Sequence, residues 1–255
     1  MLNVEKPLVS IVMPAYNAER LVAAAIRSVQ AQTIQNWELL VIDGCSRDGT
    51  ADVVARISKG DSRIRLAWNE VHSSVAQSRN KGLSMCRGKY VAFLDSDDVW
   101  YPDKLEKQIA CLEENNADLV YSSYAIVDHA GKQQCRNYIV PMTVSYEQLL
   151  EENVIGCSTV LLRRDCVEEI RFDESIFHED YVLWLKLLRS GCKAVGVTEV
   201  LVDYFFHTDS KAGNKWNAAK HRWDIYHRHL KLPLWNSVRY FIQYAAHGLR
   251  KYKRV

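Results

Sequence analysis

The chain has 255 residues, 48% hydrophobic and 25% charged, enough to bury the core of one main domain with an appendage, or at most two small domains. Its 33 basic and 31 acidic residues leave a formal charge of +2, which excludes a nucleic-acid binder that relies on a basic surface. Seven cysteines, an odd number with no Cys-x-x-Cys pair, exclude a disulfide framework and a zinc ribbon and fit a reducing cytoplasm. Met1 to Pro7 lacks a basic stretch followed by an apolar one, and no run reaches the roughly 18 apolar residues of a membrane span. The expectation is a protein that is neither exported nor transmembrane.

In chain order, Val9 to Met13 reads as a strand and Pro14 to Asn17 as a loop. Leu21, Val22, Ala25, Ile26 and Val29 come next at helical spacing. Glu38 to Ile42 is a second apolar strand closed by the polar run Asp43 to Thr50, and Val53, Val54 and Ile57 mark a second helix. Two strand-loop-helix units in succession announce a parallel sheet. Ile64 to Trp68 reads as a strand, Val75 to Cys86 as a helix and Tyr90 to Leu94 as a strand. Leu105, Ile109 and Leu112 form the face of the next helix, and Asp118 to Ser122 a further strand. Right-handed crossovers and this alternation favour a Rossmann-like, doubly wound α/β sheet.

After about residue 125 the alternation loosens, with a strand at Ser158 to Leu162, a helix at Tyr181 to Arg189 and a short strand at Ala194 to Val197. From Trp216 onward aromatic residues interleave with lysines and arginines, and Asp224 is the single acid. That mixture suits the interface of an anionic membrane. It equally suits a helical hairpin that packs its aromatic face on the domain, and one helix can do both.

The chemistry concentrates where the strand Tyr90 to Leu94 runs into Asp95-Ser96-Asp97-Asp98. A strand of an α/β sheet delivers the loop behind it to the carboxyl edge, where ligands bind, and carboxylates there can hold a divalent metal against phosphate oxygens. Alternatively, Asp97, Asp98 and Asp103 only cap and favour the helix after Pro102. A second acidic point, Glu179-Asp180, directly precedes the helix from Tyr181. Asp180 can cap that helix, act as a general base toward an attacking hydroxyl, or do both. Gly82 to Lys89 has the wrong spacing for a P-loop, and no Gly-x-Gly-x-x-Gly comes after a strand. Gly156-Cys157-Ser158 lacks the second glycine of a hydrolase elbow. Kinases, P-loop hydrolases, dinucleotide dehydrogenases and serine hydrolases are disfavoured accordingly.

Taken in order, Val9 to Ala18, Trp37 to Gly44 with Asp48-Gly49-Thr50, Ser78-Arg79-Asn80-Lys81-Gly82, Gly88 to Asp98 and Glu179 to Leu185 resemble the inverting glycosyltransferases of family 2, bacterial surface-polysaccharide type. The resemblance implies a GT-A fold over residues 1–210, with a nucleotide-binding half at 7–125 and an acceptor half at 126–210; the composition beyond it reads as a helical basic and aromatic tail at 211–255. It implies a nucleotide loop at Pro14, Ala15, Tyr16 and Asn17, with the tyrosine ring on the base. Asp43 would meet the uracil or ribose, Arg79 the base or phosphates, and Asp95-Ser96-Asp97 would be the DxD motif. Asp97 would ligate Mg²⁺ or Mn²⁺ and Asp95 would lie nearer the ribose, leaving Asp98 as a turn or capping residue. Asp180 would be the catalytic base, with Glu179 orienting the acceptor.

The implied reaction moves one sugar from a UDP-sugar to a hydroxyl of a polyprenyl-diphosphate-linked glycan on the inner face of the cell membrane, with no nucleic-acid partner. Two positions depart from the family pattern. Gly44 stands where many relatives have a second acid, and Tyr204-Phe205-Phe206-His207 lacks an arginine ahead of its histidine. His207 remains a candidate contact to the diphosphate or metal. The alternatives are a nucleotidyltransferase, which Pro14 to Asn17 does not resemble, and a degenerate binding subunit, which would have damaged acids.

Overall fold

The computed structural model describes residues 6–128, 132–167, 171–205 and 215–252, with backbone alone at 215–218 and 247–252. Eight strands form one sheet: β1 (Val9–Ala15), β2 (Trp37–Asp43), β3 (Ile64–Trp68), β4 (Tyr90–Phe93), β5 (Val99–Trp100), β6 (Leu119–Val127), β7 (Leu161–Arg163) and β8 (Ala194–Phe205). Their spatial order is β3-β2-β1-β4-β7-β6-β8-β5. The first four are mutually parallel. β7 is antiparallel to both β4 and β6, β6 and β8 are parallel to each other, and β5 runs antiparallel along β8. The expected parallel sheet thus spans one side of the molecule and becomes mixed on the other.

Helices α1 (Val22–Gln30), α2 (Thr50–Ser58), α3 (Val75–Met85), α4 (Lys104–Glu114), α5 (Tyr146–Glu151) and α6 (Glu179–Arg189) flank the sheet. Both faces of β1 are covered, which explains its uninterrupted apolar run. Ile11 and Met13 pack with Val22, Ile26 and Val29 of α1, while Val12 packs on the opposite face with the core that holds Leu83 and Trp184. Gly82 lets α3 lie close on β1, because a Cβ there would stand 2.4 Å from Val12 Cγ1. Gly88 permits a similar approach before β4, where an added Cβ would meet the Ser10 backbone nitrogen at 2.6 Å.

A buried carboxylate pins that second approach. Glu38 of β2 accepts the Ser10 hydroxyl at 2.7 Å and, through its other oxygen, the Arg87 guanidinium at 2.7 Å. Burial works to raise the Glu38 pKa, but the bonds from Arg87 and Ser10 outweigh it and hold the group below its ordinary value.

Several elements differ from the sequence reading. Pro14 lies inside β1, not in a loop. The strand expected at Ser158 to Leu162 begins as a 3₁₀ turn over Cys157–Thr159 and continues as β7. The short strand expected at Ala194 to Val197 continues to Phe205, with register shifts against β6 near Ser122 and Ser123. β5 and α5, of two and six residues, are too short for any periodicity to register.

The C-terminal region forms α7 (Lys215–Asp224), a π turn over Ile225–His229, and α8 (Leu234–Tyr252). Ile225, Tyr226, Leu230 and Tyr240 join the core that holds Leu149, Leu150 and Trp184. The Tyr226 hydroxyl donates to the Leu150 carbonyl, and Gln243 Nε2 donates to Glu151 at 3.0 Å. Arg222 lies over the Tyr181 ring at 3.9 Å and the Tyr244 ring at 4.6 Å. The packed-hairpin alternative therefore describes the inner face of this region. Its outer face leaves Leu234, Trp235 and Ile242 exposed by 57%, 83% and 62%. Among the described residues, no helix is long and apolar enough to cross a membrane.

Candidate active site

The carboxyl ends of the four parallel strands bring the first group of predicted residues to one edge. β1 ends at Ala15 beside the end of β2 at Asp43, and the Gly44 N–H donates to the Ala15 carbonyl at 2.8 Å. The two loops behind these strands are laced together. Asn17 N–H donates to Ser46 Oγ at 3.0 Å, Arg47 N–H to Asn17 Oδ1 at 2.9 Å, and Ala18 N–H to Thr50 Oγ1 at 2.8 Å. Asn17 and Cys45 take left-handed φ values of 49° and 72° to make these turns.

Tyr16 projects from this lacing with 44% of its surface exposed, its ring 4.5 Å from that of His72. Such a ring is available to stack on a planar base. Asp43 is nearly buried and both its carboxylate oxygens accept from Ser46, one from the N–H at 3.1 Å and one from the hydroxyl. It shapes the loop as well as facing the edge. At Gly44 an added Cβ would meet only ordinary contacts, the nearest being Ser73 Oγ at 3.4 Å; backbone crowding does not explain the missing acid.

The second group centres on Arg79. This α3 side chain is 4% exposed and joins the two acidic points of the sequence. One terminal nitrogen donates to Asp95 Oδ1 at 2.6 Å and the other to Glu179 Oε1 at 2.7 Å. Arg79, expected near the base or phosphates, forms a buried ionic bridge between the two acidic points. Burial opposes its charge, but the surrounding carboxylates, Asp95 first, raise its pKa. Glu179 responds oppositely, since burial lifts its pKa further than Arg79 lowers it.

Asp95, Ser96 and Asp97 are half-buried on the turn after β4. The Asp95 N–H donates to Ser158 Oγ at 3.0 Å, and the Asp98 N–H to the Asp95 carbonyl at 3.1 Å. Asp98 does not cap α4; it is 1% exposed and its Oδ1 accepts the Phe205 N–H at 3.0 Å. Its Oδ2 is buried without a hydrogen bond, and burial, with Asp97 and Asp95 nearby, drives its pKa up. Asp103 occupies the N-cap position of α4 but makes no side-chain capping bond.

Asp180 falls in the first turn of α6, whose N-cap is His178. Its Oδ1 accepts the Tyr181 N–H at 2.7 Å, so the carboxylate sits at the helix start, where the dipole favours its charge, and remains half-exposed. Burial lowers the pKa of neighbouring His178. His207 lies outside the described residues.

Two carboxylates on one turn, Asp95 and Asp97, are the hard oxygen donors that suit Mg²⁺ or Mn²⁺, whose other positions water and phosphate oxygens fill. Among the described residues there is no group of three or more His, Cys, Asp or Glu side chains arranged around a common point.

Sequence reasoning missed three contributors. Ser158 fixes the Asp95 backbone. Asn80 exchanges bonds with the backbone of Phe172, at 2.9 and 3.0 Å. Tyr204 stands beside the acids, its phenol raised by burial and by Asp98, Asp95 and Asp97. All three lay within segments already singled out, Ser158 in the Gly156-Cys157-Ser158 run, but nothing in the sequence pairs its hydroxyl with the Asp95 backbone.

The profile of the Glycosyl transferase family 2 domain matches residues 10–170, a stretch that includes Tyr16, Asp43, Arg79, Asp95 and Asp97. The chain belongs to glycosyl transferase family 2. This family 2 glycosyltransferase is an enzyme that transfers sugars, and its fold is GT-A. It is 37% identical over 249 residues to an Escherichia coli protein, the UDP-Glc:alpha-D-GlcNAc-diphosphoundecaprenol beta-1,3-glucosyltransferase WfgD, covering 96% of this chain and 95% of the relative. It is 36% identical over 246 residues to TuaG of Bacillus subtilis, a glycosyltransferase named for teichuronic acid biosynthesis, covering 96% and 98%. A mannosyltransferase from Pyrobaculum calidifontis, solved with GDP-Man and Mn²⁺, superposes with a TM-score of 0.69 at 16% identity, covering 97% of this chain and 76% of that one. At that identity the superposition speaks for the fold alone.

Proposed function

We propose that this glycosyltransferase moves one sugar from a UDP-sugar to a hydroxyl of a lipid-diphosphate-linked glycan, with inversion, in bacterial surface-polysaccharide assembly. The observation that carries the reading is the Arg79 bridge, which ties the Asp95-Ser96-Asp97 turn to Glu179-Asp180 at one sheet edge. The names of the WfgD and TuaG relatives support the donor, acceptor and polysaccharide classes.

In this reading Tyr16 stacks on the base and the Asp43 loop meets the nucleoside. Asp97 and Asp95 would hold a divalent cation, which would supply positive charge to the diphosphate leaving group. Asp180 takes the proton of the acceptor hydroxyl. That oxygen then bonds the anomeric carbon from the face opposite the diphosphate, whose bond to carbon breaks with its electron pair going to the phosphate oxygen. Asp180 suits the task because it is half-exposed, while Glu179 is engaged by Arg79.

The outer face of α8 supports peripheral attachment to a membrane. Trp235 and Ile242 are exposed there, and the chain from residue 225 onward has Arg228, Lys231, Arg239, Arg250, Lys251, Lys253 and Arg254 but no acid. An anionic lipid surface complements both features.

The test is UDP release across a panel of UDP-sugars, with a GlcNAc-diphosphate bearing an alkyl chain as acceptor, with and without chelator. Asp180→Asn is expected to slow transfer about 1,000-fold without weakening UDP binding, and Asp97→Ala to remove the chelator-sensitive activity. UDP binding with no turnover of any donor would instead favour a binding subunit. Transfer that ignores chelation would remove the role given to Asp97.

A further inference from the structure

Beyond the two acidic points, the same edge presents a row of tyrosines. Tyr204 is 43% exposed near the end of β8. Its ring centroid lies 5.7 Å from that of Tyr124 on β6, and Tyr124 stacks on Tyr138 at 5.1 Å with 22° between planes. The Tyr138 hydroxyl donates to Glu152 at 3.0 Å, which fixes the far end. The near end is fixed too, because the Phe205 N–H binds Asp98 and β5 pairs Val99 with Asp203. The row is therefore rigid and anchored to the DxD turn.

Position across the sheet gives the row its meaning. Along the order β3-β2-β1-β4-β7-β6-β8-β5, Asp43 ends β2, Tyr16 lies just past β1, and Asp95 to Asp97 lie just past β4. Tyr124 and Tyr204 stand farther along, on β6 and β8, and Tyr138 pairs with Tyr124 from the segment after β6. In an inverting displacement the attacking hydroxyl lies on the side of the anomeric carbon away from the diphosphate. With the nucleoside over β1 and β2 and the diphosphate at β4, the acceptor belongs over β6 and β8. A pyranose offers one face of C–H bonds and a rim of hydroxyls. An exposed, uncharged ring matches the first and brings no positive charge to a diphosphate.

We propose that Tyr204, backed by Tyr124 and Tyr138, is the platform on which a sugar ring of the acceptor glycan stacks. The proposal rests on the glycosyl-transfer reading and adds an acceptor subsite to it. The platform needs no movement of its rings, so its contribution is preorganised affinity for the acceptor.

The test compares wild type with Tyr204→Phe, Tyr204→Leu and Tyr204→Ala, using the same alkyl GlcNAc-diphosphate probe. Loss of the flat face in the Leu and Ala variants is expected to raise the acceptor KM about tenfold, a larger change than any in donor KM. Tyr204→Phe keeps the face and is expected to hold acceptor KM within about twofold. Binding of the probe alone, tracked by the NMR signals of the tyrosine rings, reads the subsite without turnover.

An unchanged acceptor KM in the Leu and Ala variants overturns the platform, as does a Phe variant equal to Ala, or a rise confined to donor KM. A wild-type enzyme that turns over no donor overturns the transfer reading instead. In that case, probe binding lost in Tyr204→Ala keeps the platform as a sugar-binding site, and probe binding unchanged removes it.

Discussion

The two sides of the sheet solve the same problem differently. On the parallel side, β3-β2-β1-β4, each strand carries its functional loop directly behind it, and the loops brace one another across about 30 positions of chain, as in the bonds between Asn17 and the Ser46-Arg47 turn. On the mixed side the supporting bonds span 100 positions, from Arg79 to Glu179, and 107, from Phe205 to Asp98. The first side is a local construction repeated; the second is assembled from strands inserted out of chain order. The lesson is that motif residues on the parallel side keep their form within a neighbourhood of loops, whereas Glu179 and Asp98 are held by long-range pairing.

The sharpest way to break this comparison is at Arg79, the link between the sides. Arg79→Gln leaves Asp95 and Glu179 without their cation, and an expected loss of about 3 kcal/mol should appear in chemical denaturation. A fall in transfer of about 100-fold should accompany it in an activity assay. Full activity in this variant would mean that the two acidic points hold their places independently.

Glu38 tests the parallel side by itself. Glu38→Gln weakens charge-assisted bonds to Arg87, with an expected cost of about 2 kcal/mol and little change in kcat. Because the folded-state pKa of Glu38 lies below its ordinary 4.5, its contribution is complete above pH 4.5 and is lost as pH falls through the lower folded value. Denaturation curves of wild type should therefore weaken on acidification below that point more steeply than those of Glu38→Gln.

Gly82→Ala sharpens the comparison at the packing level. The added methyl must displace Val12, and overpacking of this kind is expected to cost about 1 to 2 kcal/mol in thermal or denaturant melts. The smallest stability effect is expected at Trp235. Trp235→Ser removes an 83% exposed side chain and should leave stability within about 0.5 kcal/mol, while cosedimentation with anionic vesicles falls severalfold. Undiminished vesicle binding would assign attachment to another surface.

The legibility of the chain obeys the same division. Val9 to Ala15, Trp37 to Asp43 and Tyr90 to Phe93 are buried on both faces, so their apolar runs stand out and the loops behind them are placed at once. β8 is half-buried or exposed throughout Val197 to Val200 in its middle, where it slips register against β6, and its run therefore reads as a fragment. The tail reads as two alternatives because aromatic residues serve a core and a lipid surface equally; burial of Tyr226 beside exposure of Trp235 divides the two roles between its faces.

By itself, the sequence determined the alternation of strand and helix, through its periodicity, and the order of motifs that carries the resemblance to the GT-A glycosyltransferases. Only the tertiary structure decided what the acids of those motifs touch. Arg79 became a bridge between Asp95 and Glu179, Asp98 became a buried partner of Phe205 instead of a cap, and Tyr204 joined Tyr124 and Tyr138. The physical reason is that burial and pairing are properties of the packed chain. A charge has no fixed role until the fold sets its distance from its partners and from water.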